Sequence, residues 1–358
     1  MRFPYDTAYA ESRRLLRFAD QRLAYGMLLA LLCVAPFVLP RFYIGELSYL
    51  FIFCIASLGL MILTGYTGLV SLGHAAFLGI GAYTHAWLLG HGVPLILSLA
   101  LASTLAGVVG VLIGVPAIRI SGLYLAIVTL AFAVVVEHAM GRWSSVTGGF
   151  SGLQVPAPTL FGLPLSGPRA FYFLCLVCLV LVLLGLINLT RTRPGRALVG
   201  VRDSEAAARG LGIRVAAYKV LAFKISAAVC GLAGGLMAHQ TSFLTPEAFN
   251  MMLSMQLLLA VVIGGLGSLR GAILGAILIS LLPTAISHLK PLLSPRLAAQ
   301  FGLEIFMFGL VLTLFVLFEP KGINGRWLKI KALFEYFPLY RRDTFRRTKA
   351  YMRSERYR

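Results

Sequence analysis

The sequence predicts an all-α, polytopic membrane protein of about ten transmembrane helices with both termini cytoplasmic. Three observations carry this. Of 358 residues, 59% are hydrophobic and 13% charged, against about half and about a quarter in soluble domains. Apolar runs close to the ~20 residues that cross a bilayer core recur along the chain. The basic residues sort onto alternate connections.

The first 22 residues are polar and basic, and no small-residue cleavage site follows the first apolar run. No cleaved signal peptide is expected there. Candidate spans follow at 23–40, 47–64, 74–90, 94–116, 122–140, 170–189, 220–240, 252–266, 270–289 and 303–319. The eighth is short and ends in Gly264, Gly265 and Gly267. Ten spans return the chain to its starting side. That side carries 27 of the 32 Lys and Arg residues: five in the N-tail, Arg119, eight in 190–224, Arg270, and twelve from Lys321 onward. Arg41, Arg142, Arg169, Lys290 and Arg296 make the other five. The bias makes the richer side cytoplasmic, and an odd number of spans would break it. The chain divides into a basic N-tail, 1–22, a transmembrane domain, 23–320, and a basic C-tail, 321–358. The net charge of +19 is then a cytoplasmic fringe that suits anionic lipid, and no nucleic-acid partner is expected.

Several chemistries are excluded. Cys33, Cys54, Cys175, Cys178 and Cys230 all fall in apolar segments and read as small core filler, with no second pair to complete a metal site. Of 13 acidic residues none is placed at mid-span: Glu137 and Glu304 fall near span ends, Glu46 and Glu247 in short outer loops. An ion-driven carboxylate relay is therefore absent. No G-x-x-x-x-G-K-[ST], H-E-x-x-H or G-x-S-x-G occurs, so neither an ATP site nor a hydrolase is expected. Active transport would need energy from a partner.

The long internal cytoplasmic segment, 188–226, has local structure written into it. Pro194 suits a first helical turn. Ser204 can cap a second short helix, with Glu205 in its first turn. Ala206, Ala207 and Ala208 propagate it, and Gly210 and Gly212 offer left-handed positions to end it. Arg202, Arg209 and Arg214 flank it. Such a helix can plug into a groove on another protein or be an ordinary structured loop.

"SEAAARGLGI" resembles the coupling, or EAA, loop of ABC importer permeases. Leu211 stands where that pattern has Gly, and no Ile-x-Leu-Pro follows. Taken with "GYTGLVSLGHAAFLGIGAYT" (65–84), "GLYLAIVTLAFA" (122–133), "SVTGGFSGL" (145–153), "GRALVGVRDSEAAARGLGI" (195–213) and "GGLGSLRGAILGA" (264–276), it resembles the LivM-type permeases of branched-chain amino acid ABC importers over roughly 45–320. The resemblance implies the ABC importer permease fold and a bacterial inner membrane. It implies a second permease, two ATPase subunits holding ATP and Mg, and a periplasmic binding protein. No cofactor would sit on this chain, which would not be an enzyme. The coupling loop would span 190–219, with Asp203, Ser204, Glu205, Ala206, Ala207, Gly210 and Gly212 meeting the ATPase. Branched-chain amino acids are the implied cargo, and related permeases carry urea, short amides or aromatic acids. An apolar lining without fixed charge suits a neutral or zwitterionic solute.

Gly65, Gly68, Gly73, Gly79 and Gly81 permit a helix break and close backbone approach, and such a break at membrane depth must face protein or water. "GLVSLGHA" at 68–75 and "GLGSLRGA" at 265–272 share Gly-Leu-x-Ser-Leu-x-x-Ala, which marks Ser71 and Gly73 beside Gly265 and Ser268 as equivalent turns of two related halves. His74 reads either as a hydrogen-bonded structural residue or as a pathway residue. Ala227, Gly231 and Gly235 form a small-residue face for tight contacts, and some such faces would meet the second permease. The outer segment 141–168 reads as a structured surface loop or a passive linker, with Thr147, Gly148 and Gly149 near the mouth of a path. A stand-alone solute channel, which would need no ATPase, is the competing function.

Overall fold

The computed structural model describes residues 19–120, 122–160, 163–164, 167–289 and 322–336, with isolated helical positions between 306 and 317. Nine of the ten expected spans are helices at nearly the expected bounds. They are α1 (Ala19–Val38), α2 (Arg41–Leu60, continued by a π turn at Met61–Gly65), α3 (His74–Gly90), α4 (Leu95–Gly114) and α5 (Leu123–Arg142). After a short α6 (Ser144–Thr147) come α7 (Pro168–Arg191), α8 (Arg193–Asp203), α9 (Glu205–Gly210), α10 (Val215–Thr241), α11 (Met251–Gly264), α12 (Leu269–Leu289) and α13 (Gly322–Tyr336). The expected span at 303–319, Lys290, Arg296 and Glu304, and most of both basic tails lie outside the described residues.

Seven of these helices, with their flanking turns, are long and apolar enough to cross a membrane: Arg41–Gly65, Leu95–Gly114, Leu123–Arg142, Pro168–Arg191, Val215–Thr241, Pro246–Gly264 and Leu269–Ser287. The chain is therefore a multi-pass, all-α membrane protein. Prolines mark several starts: Pro40 and Pro94 precede α2 and α4, and Pro168 and Pro194 sit in the first turns of α7 and α8, where their missing N–H costs nothing.

The core centres on α2 and α10. In α2 every residue from Leu50 to Leu60 is buried, so it is apolar all round rather than striped. Helix α10 packs against α2, α3 and α4, and its small residues explain how. A Cβ on Gly234 would strike the Leu78 carbonyl, and one on Gly81 the Gly231 carbonyl. Opposite Gly231 and Gly110 stand Ala106 and Ala227. Backbones touch here, the usual means of helix association in lipid. The face of Ala227, Gly231 and Gly235 is thus used within the chain.

Three boundaries correct the sequence reading. Helix α10 starts at Val215, not 220, and draws Lys219 into the helix. Helix α2 starts at Arg41, so Glu46 is helical, and its carboxylate accepts the Thr284 hydroxyl at 3.2 Å. Helix α5 runs on to Arg142, which places Glu137 more than a turn inside its end. Between α5 and α7, a β1–β4 pair (Leu153–Gln154 with Phe243–Leu244) ties the long loop to the end of α10, and a small β2–β3 hairpin (Thr159–Leu160 with Leu163–Pro164) follows β1.

Candidate functional site

The helix ends that carry Arg119, Arg191–Arg214 and Arg270 form one basic end of the bundle. There α2 gives way, through its π turn, to non-helical backbone at Gly68–Gly73 before α3 begins at His74. A π turn admits an extra residue per turn and often marks a functional position. Gly68 sits at φ 72°, a left-handed conformation that favours glycine. A Cβ on Gly73 would lie 2.6 Å from the Thr129 carbonyl oxygen. Leu69, Ser71, Gly73 and His74 of the bend are buried against protein, while Gly68 lies at the surface.

His74 locks this bend. It is fully buried. The Ser226 hydroxyl donates to Gly59 O at 2.7 Å and so accepts from His74 Nε2 at 2.7 Å. The proton therefore sits on Nε2. Nδ1 then accepts the Ser71 hydroxyl at 3.1 Å, while Ser71 Oγ takes the Gly73 N–H at 3.3 Å. Leu72 N–H reaches Thr129 Oγ1, and Ala75 N–H reaches Ser254 Oγ. Both ring nitrogens of His74 are thus hydrogen-bonded, and the bend is tied to α2, α5, α10 and α11.

The sequence-predicted helix at 205–210 is α9. Ser204 Oγ accepts the Ala207 N–H at 3.2 Å, an N-cap. At the other end Ile213 N–H bonds Ala208 O and Gly212 N–H bonds Arg209 O, both at 3.0 Å, the two bonds of a Schellman turn. Gly212, at φ 78°, holds the left-handed position. Gly210 is instead the last helical residue, so only one of the two offered glycines is needed. Ala208 is buried against Val201 and Val215. Ala206, Ala207, Gly210 and Leu211 face outward, Leu211 81% exposed.

Two charged contacts fasten this segment to the bundle. Lys219, 3% exposed, meets Glu205 at 2.6 Å, and Arg209 meets the other Glu205 oxygen at 3.3 Å. Deleting one member of a buried pair strands the other, at a cost of about 3–5 kcal/mol; half-exposed Glu205 softens that here. Arg202 NH1 donates to Gly65 O at 2.9 Å, while Nε and NH2 bind Asp203 at 3.0 Å. Its side chain runs between Gly68 and Gly267: a Cβ at Gly68 would meet Arg202 Cγ at 3.1 Å, and one at Gly267 would meet NH1 at 2.7 Å. Beside it, burial raises the Tyr66 phenol pKa above its ordinary value, and the Arg202 charge and Thr190 hydroxyl pull it back.

Gly65, Gly68, Ser71, Gly73, His74, Gly265 and Ser268 are therefore gathered at the basic end with residues 203–212. Thr147, Gly148 and Gly149 lie after α5 at the opposite end. Thr147 Oγ1 bonds Met140 O and Trp143 O and accepts the Gly149 N–H. Two left-handed glycines, Gly148 and Gly149, follow it and end α6. Sequence reasoning missed the roles of Arg202, Lys219, Ser226 and Thr129. Lys219 left a signal: it stands inside "VAAYKVLAF", where an apolar helix offers a charge nothing but a partner. Among the described residues no group of three His, Cys, Asp or Glu is placed to hold a metal.

Comparisons with known proteins agree on one family. The family model described as branched-chain amino acid transport system / permease component matches residues 43–318. The chain is 36% identical to the high-affinity branched-chain amino acid transport system permease protein LivM of Escherichia coli strain K12, over 85% of this chain and 75% of the relative. It is 36% identical to LivM of Salmonella typhimurium strain LT2, over 83% and 74%. With the autoinducer 2 import system permease protein LsrC of Escherichia coli O9:H4 it shares 29% identity over 86% and 90%. No solved structure matches. With the model covering most of its length and a LivM relative at 36% identity, the chain belongs to the family of branched-chain amino acid transport system permease components.

Proposed function

We propose that this chain is a ten-span permease subunit, both termini cytoplasmic, of a binding-protein-dependent ABC importer in a bacterial inner membrane. It pairs with a second permease and translocates branched-chain amino acids. Two partner subunits bind ATP and Mg and hydrolyse the ATP, a periplasmic protein delivers the solute, and this chain holds no cofactor. Its permease domain is 23–320, and its basic tails, 1–22 and 321–358, meet anionic lipid. The cargo reading rests on the family and on the LivM relatives, whose printed role is branched-chain amino acid transport. LsrC, named for autoinducer 2 import, is the reason cargo is tested rather than assumed.

The observation that carries the coupling role is the attachment of α9. An exposed, doubly capped helix is fastened by Glu205 to buried Lys219 and, one turn earlier, by Arg202 to the helix break at Gly65. A push on α9 from a docked ATPase would pass through these contacts into α10 and the break, and bias the two states of an alternating-access cycle.

The test is uptake by vesicles holding the full complex and its binding protein, comparing labelled leucine, urea and benzoate with and without ATP. ATP-dependent leucine uptake is expected. ATP-dependent uptake of urea or benzoate instead would keep the machine and change its cargo, and ATP-independent equilibration would overturn the importer reading in favour of a channel. Glu205→Arg turns the anion beside Lys219 and Arg209 into a cation. It should cut ATP-driven uptake by at least about tenfold with membrane insertion unchanged; normal uptake would remove Glu205 from the mechanism.

A further inference from the structure

Helix α5 carries a carboxylate inside an otherwise apolar stretch. It has 20 residues and so spans about 30 Å, the thickness of a bilayer core. Glu137 lies five residues before its end at Arg142, about 7.5 Å inside. Its neighbour His138 is exposed, with Nδ1 turned back onto Val134 O at 2.9 Å and Nε2 left outward. Glu137 is half-buried and has no hydrogen-bond or ion-pair partner among the described residues. Apart from His138 and the terminal Arg142, the exposed surface of α5 is apolar: Tyr124, Ile127, Val128, Val134 and Val135 form one stripe, and by helical spacing Glu137 stands well to the side of it, next to the packed face. Charged side chains within spans face a bundle interior or a water-filled cavity and mark solute paths. Elsewhere carboxylates are used: Glu46 by Thr284 and Glu205 by Lys219 and Arg209.

We propose that Glu137 stands in a water-filled solute path along the flank of α5 and binds the ammonium group of the passing amino acid. The proposal rests on the amino-acid reading above. A carboxylate without a cation of its own, in a site of reduced dielectric, offers a charge-assisted bond to a primary ammonium. The carboxylate would then be matched by each solute in turn rather than by a permanent partner, which is what a station of passage requires.

Two measurements on the assembled complex decide it. In a background with the five cysteines replaced, Glu137→Cys is treated with a membrane-impermeant methanethiosulfonate in the resting and vanadate-trapped states. Thiolate chemistry needs water, so labelling in at least one state is expected, with Val135→Cys unlabelled. No labelling in either state would place residue 137 in lipid or in a dry contact and overturn the path. Separately, Glu137→Gln, nearly isosteric, should lower leucine uptake at least about tenfold at equal amounts of assembled complex, the scale of one lost charge-assisted hydrogen bond. Uptake within about twofold of wild type would overturn the ammonium role, and failure of this variant to assemble would show a pair across the permease interface instead. If the wild-type complex carries urea or benzoate, the cargo reading and the ammonium role both fall, while labelling at 137 still decides whether the path is there.

Discussion

The bends after α2 and after α11 are built on the same eight-residue pattern, yet they are held in different ways. In both, a serine accepts a backbone N–H at the start of the next helix: Ser71 from Gly73 at 3.3 Å, and Ser268 from Gly271 at 2.8 Å. Beyond that they part. The first bend is tied by polar side chains from four helices, with His74 at the centre. The second has Gly271 where the first has His74, and is closed by backbone against backbone: a Cβ on Gly271 would lie 2.6 Å from Gly264 O, and one on Gly275 would strike Ala260 O. Directional hydrogen bonds specify one geometry, whereas touching glycines leave sliding open so long as the surfaces stay small. The first bend is therefore specified by directional bonds and the second by close backbone packing, with Arg202 reaching Gly65 O on one side and Gly267 on the other.

The largest effect should come from forcing bulk into the first bend. Gly73→Leu cannot keep the Thr129 backbone where it is, and overpacking of this kind costs about 1–3 kcal/mol or more, with the His74 network lost besides. The expected outcome is loss of most folded protein, read as the monodisperse peak in detergent chromatography. Wild-type abundance and uptake would show that this bend is not closely packed.

Much of this was legible before any coordinates. Span positions follow from hydropathy because backbone groups in lipid must be satisfied within a helix, and 74–90 came out to the residue. The capped helix at 205–210 was legible because capping is local chemistry. What could not be read was pairing across the fold. Nothing near Ser226 in the chain points to His74, 152 residues away, and nothing near Arg202 points to Gly65. Apolar runs also hide where a helix starts, so Lys219 reads as a loop residue although it lies inside α10. This error concerns a charge at a membrane boundary, where hydropathy is least informative and partners decide.

Arg202 sharpens the comparison, since its side chain bridges the two bends. Arg202→Gln removes the long fork but keeps a polar group, and a lost bond to a charged donor is worth about 1.5–3 kcal/mol. If the bridge transmits motion, the complex should assemble normally and hydrolyse ATP, yet move at least about tenfold less solute per ATP. A proportional fall in both rates would instead make Arg202 a support for α8 alone.

The smallest effects distinguish the bends most cleanly. Ser71→Ala and Ser268→Ala delete the equivalent hydroxyl, and each loses a helix-start bond worth about 1 kcal/mol. Ser71→Ala also strips His74 Nδ1 of its donor in a fully buried site, and an unsatisfied buried group adds about 1–3 kcal/mol. The Ser71 variant should therefore lose more thermal stability than the Ser268 variant, by several degrees in a detergent melting series. Ser226→Ala, which removes the partner of His74 Nε2 and the donor to Gly59 O, should resemble Ser71→Ala and add little to it in the double variant, because both act through the same imidazole. Equal losses at Ser71 and Ser268 would mean that the polar network does not hold the first bend, and that the two turns are alike in mechanism as well as in sequence.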